Sequence, residues 1–256
     1  MLEARHLVKR YYGVAAVNDV SFVVGPGEVM GYLGPNGSGK TTTLKILTGL
    51  LEPTAGEVYF NRKNVADDPL AFRRRLGYVP EEPHLYSFLS GREYLEFVGR
   101  LRELPEAALK NKIPALLELL GIAHAADQNI ASYSKGMKQK ILISAALLHN
   151  PDVLIFDEPD SGLDVTTTLV LRHLVQQLAR EGKAVLYSSH VLEVVEKLCS
   201  KVMVLHRGKV VADAPIEELR SVVASKSLEE VFAQLVLRED PETTARDIAT
   251  LVTTEA

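Results

Sequence analysis

The sequence has a single cysteine and no apolar run long enough to cross a bilayer. One cysteine excludes an internal disulfide framework and is typical of a protein in a reducing cytosol. Because Cys199 lies in an apolar helical stretch, we expect its thiol to be buried and unreactive. The most apolar run, Ile141 to Leu148, is well short of the ~20 residues of a transmembrane helix. Residues 1–10 carry charges throughout, unlike a signal peptide, so we expect a cytoplasmic location.

An excess of positive charge is also missing. The 29 Lys and Arg residues face 33 Asp and Glu residues, which gives a net charge of −4. Bulk charge therefore provides no attraction to nucleic acid or to an anionic membrane, and we expect no nucleic-acid partner. The length of 256 residues, with 46% hydrophobic and 24% charged residues, is typical of one large globular domain or of a domain with a subdomain.

A glycine-rich loop is the strongest local signal. The residues from Gly34 to Thr42 read GPNGSGKTT, a phosphate-binding loop of the G-x-x-x-x-G-K-[ST] type. Its glycines permit a tight turn in which several backbone N–H groups point into one concavity. Lys40 can reach the terminal phosphates of a nucleotide, and the Thr41 hydroxyl can bind Mg²⁺. The expected nucleotide contacts are Gly34, Asn36, Gly37, Ser38, Gly39, Lys40, Thr41 and Thr42.

Strand and helix patterns alternate along the chain. Apolar or valine-rich runs predict strands over Val14–Val24, Val29–Leu33, Glu57–Phe60, Leu76–Pro80, Asp152–Phe156 and Ala184–Ser188. Apolar residues at helical spacing predict helices over Thr42–Leu51, Glu93–Leu104, Leu109–Leu120 and Val191–Leu198, with a further helix marked by Leu171 to Leu178. A hairpin is predicted over Lys201–Val211. This order indicates a mostly parallel sheet, a β-rich layer from the first 60 residues and a helical insertion over residues 84–150.

The C-terminal part has a different character. Apolar residues at helical spacing predict an amphipathic helix there, formed by Leu228, Val231, Phe232, Leu235 and Val236. Residues 239–256 are polar and predict no element. We therefore divide the chain into a domain of residues 1–220 and a C-terminal extension of residues 221–256.

Acidic and imidazole side chains follow two of the buried strands. Asp157 and Glu158 come at the end of one strand, and His190 follows the next, where open α/β sheets bind ligands. Asp157 suits coordination of the Mg²⁺ held by Thr41. Glu158 can polarise an attacking water as a general base. His190 can contact a γ-phosphate and orient that water.

A second helix start lies between these motifs. Ser134 is a good N-cap, and Gly136 follows it in the run Tyr133-Ser-Lys-Gly-Met137, with a helix predicted through Leu148. Such an N-terminus can bind a phosphate, although the residues alone favour an ordinary helix start.

Taken in order, these motifs resemble the nucleotide-binding domain of an ABC transporter. Gly34 to Thr42 matches the Walker A motif, and Val153 to Glu158 matches Walker B with its catalytic glutamate. Tyr133 to Met137 is similar to the signature motif, usually L-S-G-G-Q. Ser161 to Asp164 resembles the D-loop, and His190 the switch histidine. The resemblance covers about residues 1–215.

The resemblance implies an α/β P-loop NTPase fold. A RecA-like core would carry an antiparallel β subdomain and an inserted α-helical subdomain. It also implies ATP hydrolysis with Mg²⁺ in a head-to-tail dimer. Ser134 and Gly136 of one subunit would cap the γ-phosphate held by Lys40 of the other, with Asp164 also at the nucleotide. An aromatic residue near the N-terminus, Tyr11 or alternatively Tyr12, would stack on adenine.

The sequence departs from the family pattern at four positions. Glu81 stands where the Q-loop glutamine is usual; it can still approach a water or Mg²⁺, and we include it among the candidate metal ligands. Lys135 and Met137 replace a glycine and a glutamine of the signature, while Ser134 and Gly136 remain. Asp160 replaces a threonine common before the D-loop, and no consequence follows from the sequence.

The run Tyr-Ser-Lys-Gly-Met-Lys-Gln and the segment Ser227 to Phe232 are similar to ATPases of the ABC-2 export branch. In that branch the membrane domain is a separate chain, which implies permease subunits as partners, a second ATPase subunit, and a position at the inner face of the cell membrane. The alternative is a soluble ABC ATPase, for example of cluster assembly, without a membrane partner.

Overall fold

A computed structural model describes residues 1–223 and, beyond them, Leu228 and Phe232. The N-terminal part forms a four-stranded antiparallel sheet in the order β2-β1-β4-β5. Its strands are β1 (Leu2–Tyr11), β2 (Val14–Val24), β4 (Ala55–Phe60) and β5 (Lys63–Asn64), with β3 (Val29–Leu33) leaving for the second sheet.

The second sheet has six strands in the order β10-β9-β3-β8-β7-β6. The remaining strands are β6 (Leu76–Val79), β7 (Val153–Asp157), β8 (Ala184–Ser188), β9 (Lys201–His206) and β10 (Lys209–Pro215). All neighbours pair in parallel except β9 and β10, which form an antiparallel hairpin. Every residue of β3, β7 and β8 is buried, as expected for parallel strands covered on both faces.

Eight α-helices pack around these sheets in the described part of the chain. They are α1 (Lys40–Leu47), α2 (Pro69–Arg73), α3 (Gly91–Leu101), α4 (Glu106–Leu119), α5 (Lys135–Leu147), α6 (Val165–Arg180), α7 (Leu192–Leu198) and α8 (Ile216–Val223). One apolar cluster fills the space between the two sheets and α1. A second lies on the other face of the main sheet and extends into α3, α4 and α5, so the helical insertion shares its core with the sheet.

The predicted α/β fold with an antiparallel layer and a helical insertion is confirmed. Strand β1 was not predicted, because charged Lys9 and Arg10 break its apolar alternation. Helix α1 begins at Lys40 and not at Thr42, and it ends at Leu47 and not at Leu51. Gly49 takes a left-handed φ of 69° there, which turns the chain out of the helix.

Two outcomes concern the predicted membrane and terminal features. Among the described residues, no helix combines the length and the apolar character that a bilayer crossing requires. Of the predicted C-terminal helix, Val231, Leu235 and Val236 lie outside the described residues. Leu228 and Phe232 are helical and pack on the larger apolar cluster.

Candidate nucleotide site

The phosphate-binding loop connects the buried strand β3 to the first turn of α1. Gly39 precedes the helix with a left-handed φ of 105°, and a Cβ on it would collide with the carbonyl oxygen of Ala16. Only glycine satisfies both conditions. The backbone N–H groups of the first helical turn therefore face the cavity beyond the loop, as a bound anion requires.

Lys40 is folded back onto its own loop. Its Nζ donates to the carbonyl oxygen of Gly34 at 2.5 Å and to that of Pro35 at 3.3 Å. Burial lowers the pKa of Lys40, while the carboxylates of Glu158, Asp157 and Glu81 oppose that shift. A phosphate would provide stronger acceptors for this ammonium than the two carbonyls do.

Asp157 ends β7 in a buried position facing the loop. The Ser188 hydroxyl donates to its Oδ1 at 3.1 Å, whereas the buried Oδ2 has no hydrogen-bond partner among the described residues. Burial raises the pKa of Asp157 to about 6, and the neighbouring carboxylates of Glu81 and Glu158 add to the increase. An unpaired, buried carboxylate oxygen at this place is suited to a hard cation such as Mg²⁺.

Glu158 and His190 form the next pair. Glu158 has a left-handed φ of 49°, which turns its side chain to the edge of the sheet. Its Oε2 lies 2.7 Å from Nδ1 of His190 and accepts the His190 backbone N–H at 3.2 Å. In a neutral imidazole this contact places the proton on Nδ1 and leaves Nε2 as a free acceptor. The pair therefore joins a candidate base to an exposed imidazole.

Most of the predicted site residues line one cavity of about 570 Å³. Its lining consists of Ala16, Pro35, Asn36, Gly37, Gly39, Lys40, Thr41, Thr42, Glu81, Asp157, Glu158 and His190. Ser38 is buried behind the loop, where its backbone N–H donates to Pro35 at 3.1 Å. Gly34 contributes its carbonyl to Lys40. Residues distant in sequence thus meet at the carboxyl ends of β3, β7 and β8, which is the usual ligand edge of such sheets.

Three predicted nucleotide contacts lie elsewhere in the same chain. Ser134, Gly136 and Asp164 line a different cavity of about 320 Å³. The Ser134 hydroxyl accepts the Met137 N–H at 3.2 Å as the N-cap of α5. Asp164 caps α6 by accepting from the backbone N–H and hydroxyl of Thr167, contacts that lower the pKa of Asp164 to about 2. Within one chain these residues are not brought to Lys40.

The candidate adenine contacts also lie outside the cavity around Lys40. Tyr11 is the last residue of β1, 44% exposed, with the Lys9 ammonium 5.6 Å from its ring centroid. Tyr12 follows in a turn and is fully exposed. From the antiparallel sheet, Ala16 of β2 lines the cavity around Lys40. The adenine contact stays a prediction.

Several residues of the site were missed in the sequence. Ser188, the partner of Asp157, was seen only as the end of an apolar strand. Gln139 is fully buried in α5 and donates to the Pro159 carbonyl at 3.2 Å, immediately after Glu158. Asp160, from which the sequence predicted no consequence, is half-buried and lies 4.0 Å from the Arg172 guanidinium, and its desolvation raises its pKa. The predicted inert thiol is confirmed as buried, and its burial raises the pKa of Cys199.

The fold and the loop together define a P-loop NTPase. The profile of the ABC transporter family matches residues 17–161. The chain is 38% identical over 226 residues to the ABC transporter ATP-binding protein NatA of Bacillus subtilis (strain 168), covering 88% of this chain and 92% of that protein. It is 34% identical over 221 residues to the bacitracin transport ATP-binding protein BcrA of Bacillus licheniformis, covering 86% and 71%. The chain therefore belongs to the ABC transporter ATP-binding family, whose members are ATPases.

Solved structures agree with this assignment. The ATP-binding subunit of an ABC transporter superposes with a TM-score of 0.87 at 34% identity, covering 92% of this chain and 99% of that one. A dimeric ATP-binding cassette in a post-hydrolysis state, bound to ADP and Pi, superposes with a TM-score of 0.78 at 25% identity, covering 84% and 99%. The predicted fold class and ATPase activity are thereby confirmed.

The loop conformation gives a direct prediction. We expect Gly39→Ala to weaken binding of a fluorescent ATP analogue at least tenfold, because the new Cβ meets the Ala16 carbonyl and the left-handed φ is strained. Gly182→Ala is the matched control, since Gly182 also has a positive φ, of 87°, but open space around it. Equal binding by the Gly39 variant and the wild type would show that the loop does not hold the nucleotide in this conformation.

Proposed function

We propose that this chain is the ATP-hydrolysing subunit of an ABC exporter, which closes head-to-tail around two MgATP molecules to drive separate membrane subunits. The proposal rests on the separation of the predicted site residues into two cavities of the same chain. Lys40, Asp157, Glu158 and His190 line one cavity, while Ser134 and Gly136 line another in the same chain. A second subunit, with its Ser134 facing the first cavity, would complete each site.

Without a nucleotide, the Lys40 ammonium is hydrogen-bonded to carbonyl oxygens of its own loop. Binding of ATP would transfer Nζ from the Gly34 and Pro35 oxygens to the β- and γ-phosphates, while the N–H groups at the start of α1 bind phosphate oxygens. This exchange needs no movement of the strand or helix, because both groups already line the cavity. The loop is therefore preorganised for the triphosphate.

Thr41 and Asp157 would hold Mg²⁺ together with the phosphate oxygens. The unpaired Oδ2 of Asp157 fits such a role. Among the described residues no three acidic, His or Cys side chains converge to bind a metal by themselves, which suits an ion bound through few carboxylates and the substrate phosphates. When bound, Mg²⁺ neutralises charge on the β- and γ-phosphates. Glu81, exposed at the cavity rim, is a further candidate ligand.

Glu158 and His190 would carry the hydrolytic step. Glu158 accepts a proton from the water that attacks the γ-phosphorus as the bond to the β–γ bridging oxygen breaks. The contact of 2.7 Å between Glu158 and His190 fixes both side chains relative to that water. When it carries a proton, Nε2 of His190 can donate to a γ-phosphate oxygen and report the loss of that phosphate.

The second subunit would supply the other half of each site. Ser134 and Gly136 begin α5, whose N-terminal N–H groups favour an anion. The dimeric relative bound to ADP and Pi supports pairing of such cassettes. Asp164 lies in the same cavity as Ser134, although its carboxylate caps α6, so it would contribute to the interface more than to phosphate binding.

A surface near Glu81 supports a membrane partner. We name the cluster of Tyr86, Phe88, Tyr94 and Phe97 the aromatic patch. Tyr86 lies 5.8 Å from the Phe88 ring and 5.8 Å from the Phe97 ring, and these three are 52%, 72% and 40% exposed. Contiguous exposed aromatics mark protein interaction sites. A cavity lined by Thr41, Glu81, Asp157 and Tyr94 leads from the metal position towards this patch, so a permease segment bound here would sense the nucleotide.

Replacing the proposed base provides the first test. We expect Glu158→Gln to reduce ATP turnover at least a hundredfold while MgATP still produces a dimer, since the amide cannot accept the proton. Steady-state phosphate release and size-exclusion chromatography with light scattering measure the two quantities. Glu118→Gln, on the exposed face of α4, is the control. Normal turnover by the Glu158 variant would assign the base elsewhere.

The division of the site is tested by Ser134→Arg. The added bulk and charge should block ATP-dependent dimerisation and hydrolysis, yet leave binding of an ATP analogue to the monomer within about twofold, because Ser134 is remote from Lys40 in one chain. Gln128→Arg, an exposed position near α5, controls for charge. Loss of nucleotide binding by the monomer would place Ser134 in the site of its own chain.

The aromatic patch distinguishes the exporter from a soluble ABC ATPase. We expect the native protein to copurify from detergent-solubilised membranes with a multi-span subunit, and Tyr86→Ser with Phe88→Ser to abolish that copurification while ATP binding persists. Leu119→Ser, 78% exposed on α4, is the matched control. Native protein that carries no membrane subunit would favour the soluble alternative.

A further inference from the structure

Lys135 is an unusual residue for its place. It is the first residue of α5, directly after the cap Ser134, at the position where the family signature usually has glycine. A lysine at a helix N-terminus opposes the helix dipole and adds side-chain entropy to be lost. Its presence therefore requires a compensating contact.

That contact is to the loop that follows Glu158. The Lys135 ammonium donates to the Ser161 hydroxyl at 2.6 Å. The aliphatic part of the side chain covers Gly162, because a Cβ added there would lie 3.0 Å from Cγ and 3.1 Å from Cδ of Lys135. The side chain thus combines a hydrogen bond with packing along its length.

The same loop connects directly to Glu158. The Ser161 backbone N–H donates to the Glu158 carbonyl at 3.1 Å, closing a turn of four residues. From α5, Gln139 holds the Pro159 carbonyl at 3.2 Å, and Gly136 lies against the Gly162 carbonyl. The start of α5 and the segment 158–162 are therefore one packed unit, with Lys135 as its charged and exposed member.

We propose that Lys135 is a positioning residue that couples the two nucleotide sites of the dimer. This inference rests on the proposed function, in which Ser134 and Gly136 contact the nucleotide bound by the partner subunit. Engagement of α5 by that nucleotide is transmitted through Lys135 and Ser161 to the turn that carries Glu158 in the same chain. Hydrolysis at one site then depends on occupancy of the other.

The test separates positioning from binding and from stability. Lys135→Met keeps the stem over Gly162 and removes the ammonium; Ser161→Ala removes the acceptor. Each is expected to lower kcat about three- to tenfold, as the loss of one hydrogen bond to a charged group allows. The KM for ATP and, in the Glu158→Gln background, the MgATP-dependent dimer fraction stay within about twofold. Lys135→Arg, which retains a donor, restores most of kcat.

A double-mutant cycle isolates the contact itself. If Lys135 acts through Ser161, the double variant has the kcat of either single variant. Lys183→Met is the matched control, because Lys183 donates to the Asn150 side chain at the same 2.6 Å but lies away from the nucleotide cavity. We expect that control to keep full kcat.

The inference is overturned if Lys135→Met retains full kcat, if the losses multiply in the double variant, or if Lys183→Met loses as much. A parallel loss of dimer fraction would instead make Lys135 a binding residue. Failure of the proposed function gives a different result, since the wild type would then hydrolyse ATP without forming a dimer.

Discussion

The site depends on one charge balance. The Lys40 ammonium is partly buried between two carbonyl oxygens of its own loop and the carboxylates of Glu158, Asp157 and Glu81. Removing either the ammonium or the carboxylates would leave the opposite charge buried without a partner, which raises the free energy of the folded state. The six-stranded sheet supports this balance, because β3 leads to Lys40 and β7 leads to Asp157 and Glu158 at the same edge. The phosphates of a bound nucleotide would face Lys40 and its Mg²⁺ would face the carboxylates, so that each sign of charge gains a partner.

The same need to balance charge explains why the proposed site is divided between two subunits. The cavity around Lys40 contains the groups that we propose bind phosphate and activate water, and its lining includes no residue from the start of α5. Ser134 and Gly136 line a separate cavity, to which the described loop around Lys40 contributes no residue. In the proposed dimer, two copies in opposite orientation would satisfy both surfaces, and the phosphate charge that each copy presents to the other would favour closure.

Much of this arrangement could be predicted from the sequence, for identifiable reasons. The loop from Gly34 to Thr42 has fixed residue types because each has a separate physical task, and fully buried strands such as β7 read as unbroken apolar runs. Strand β1 escaped prediction because its sequence mixes charges with apolar residues over a single buried face. The bounds of α1 depended on the left-handed backbone at Gly39 and Gly49, which apolar spacing does not reveal. Ser188, Gln139 and Lys135 act through partners at least 20 residues away, so only the folded chain shows their contacts.

In the proposed dimer, each nucleotide lies between two chains. This position can be tested by cross-linking, because the only native cysteine, Cys199, is buried. Two differently tagged proteins are used, one with Asn36→Cys and one with Ser134→Cys, both in the Glu158→Gln background. A short bismaleimide is expected to link the two chains with MgATP and not with MgADP. Cross-linking that never joins the chains, although both proteins bind ATP, would contradict this position of the nucleotide.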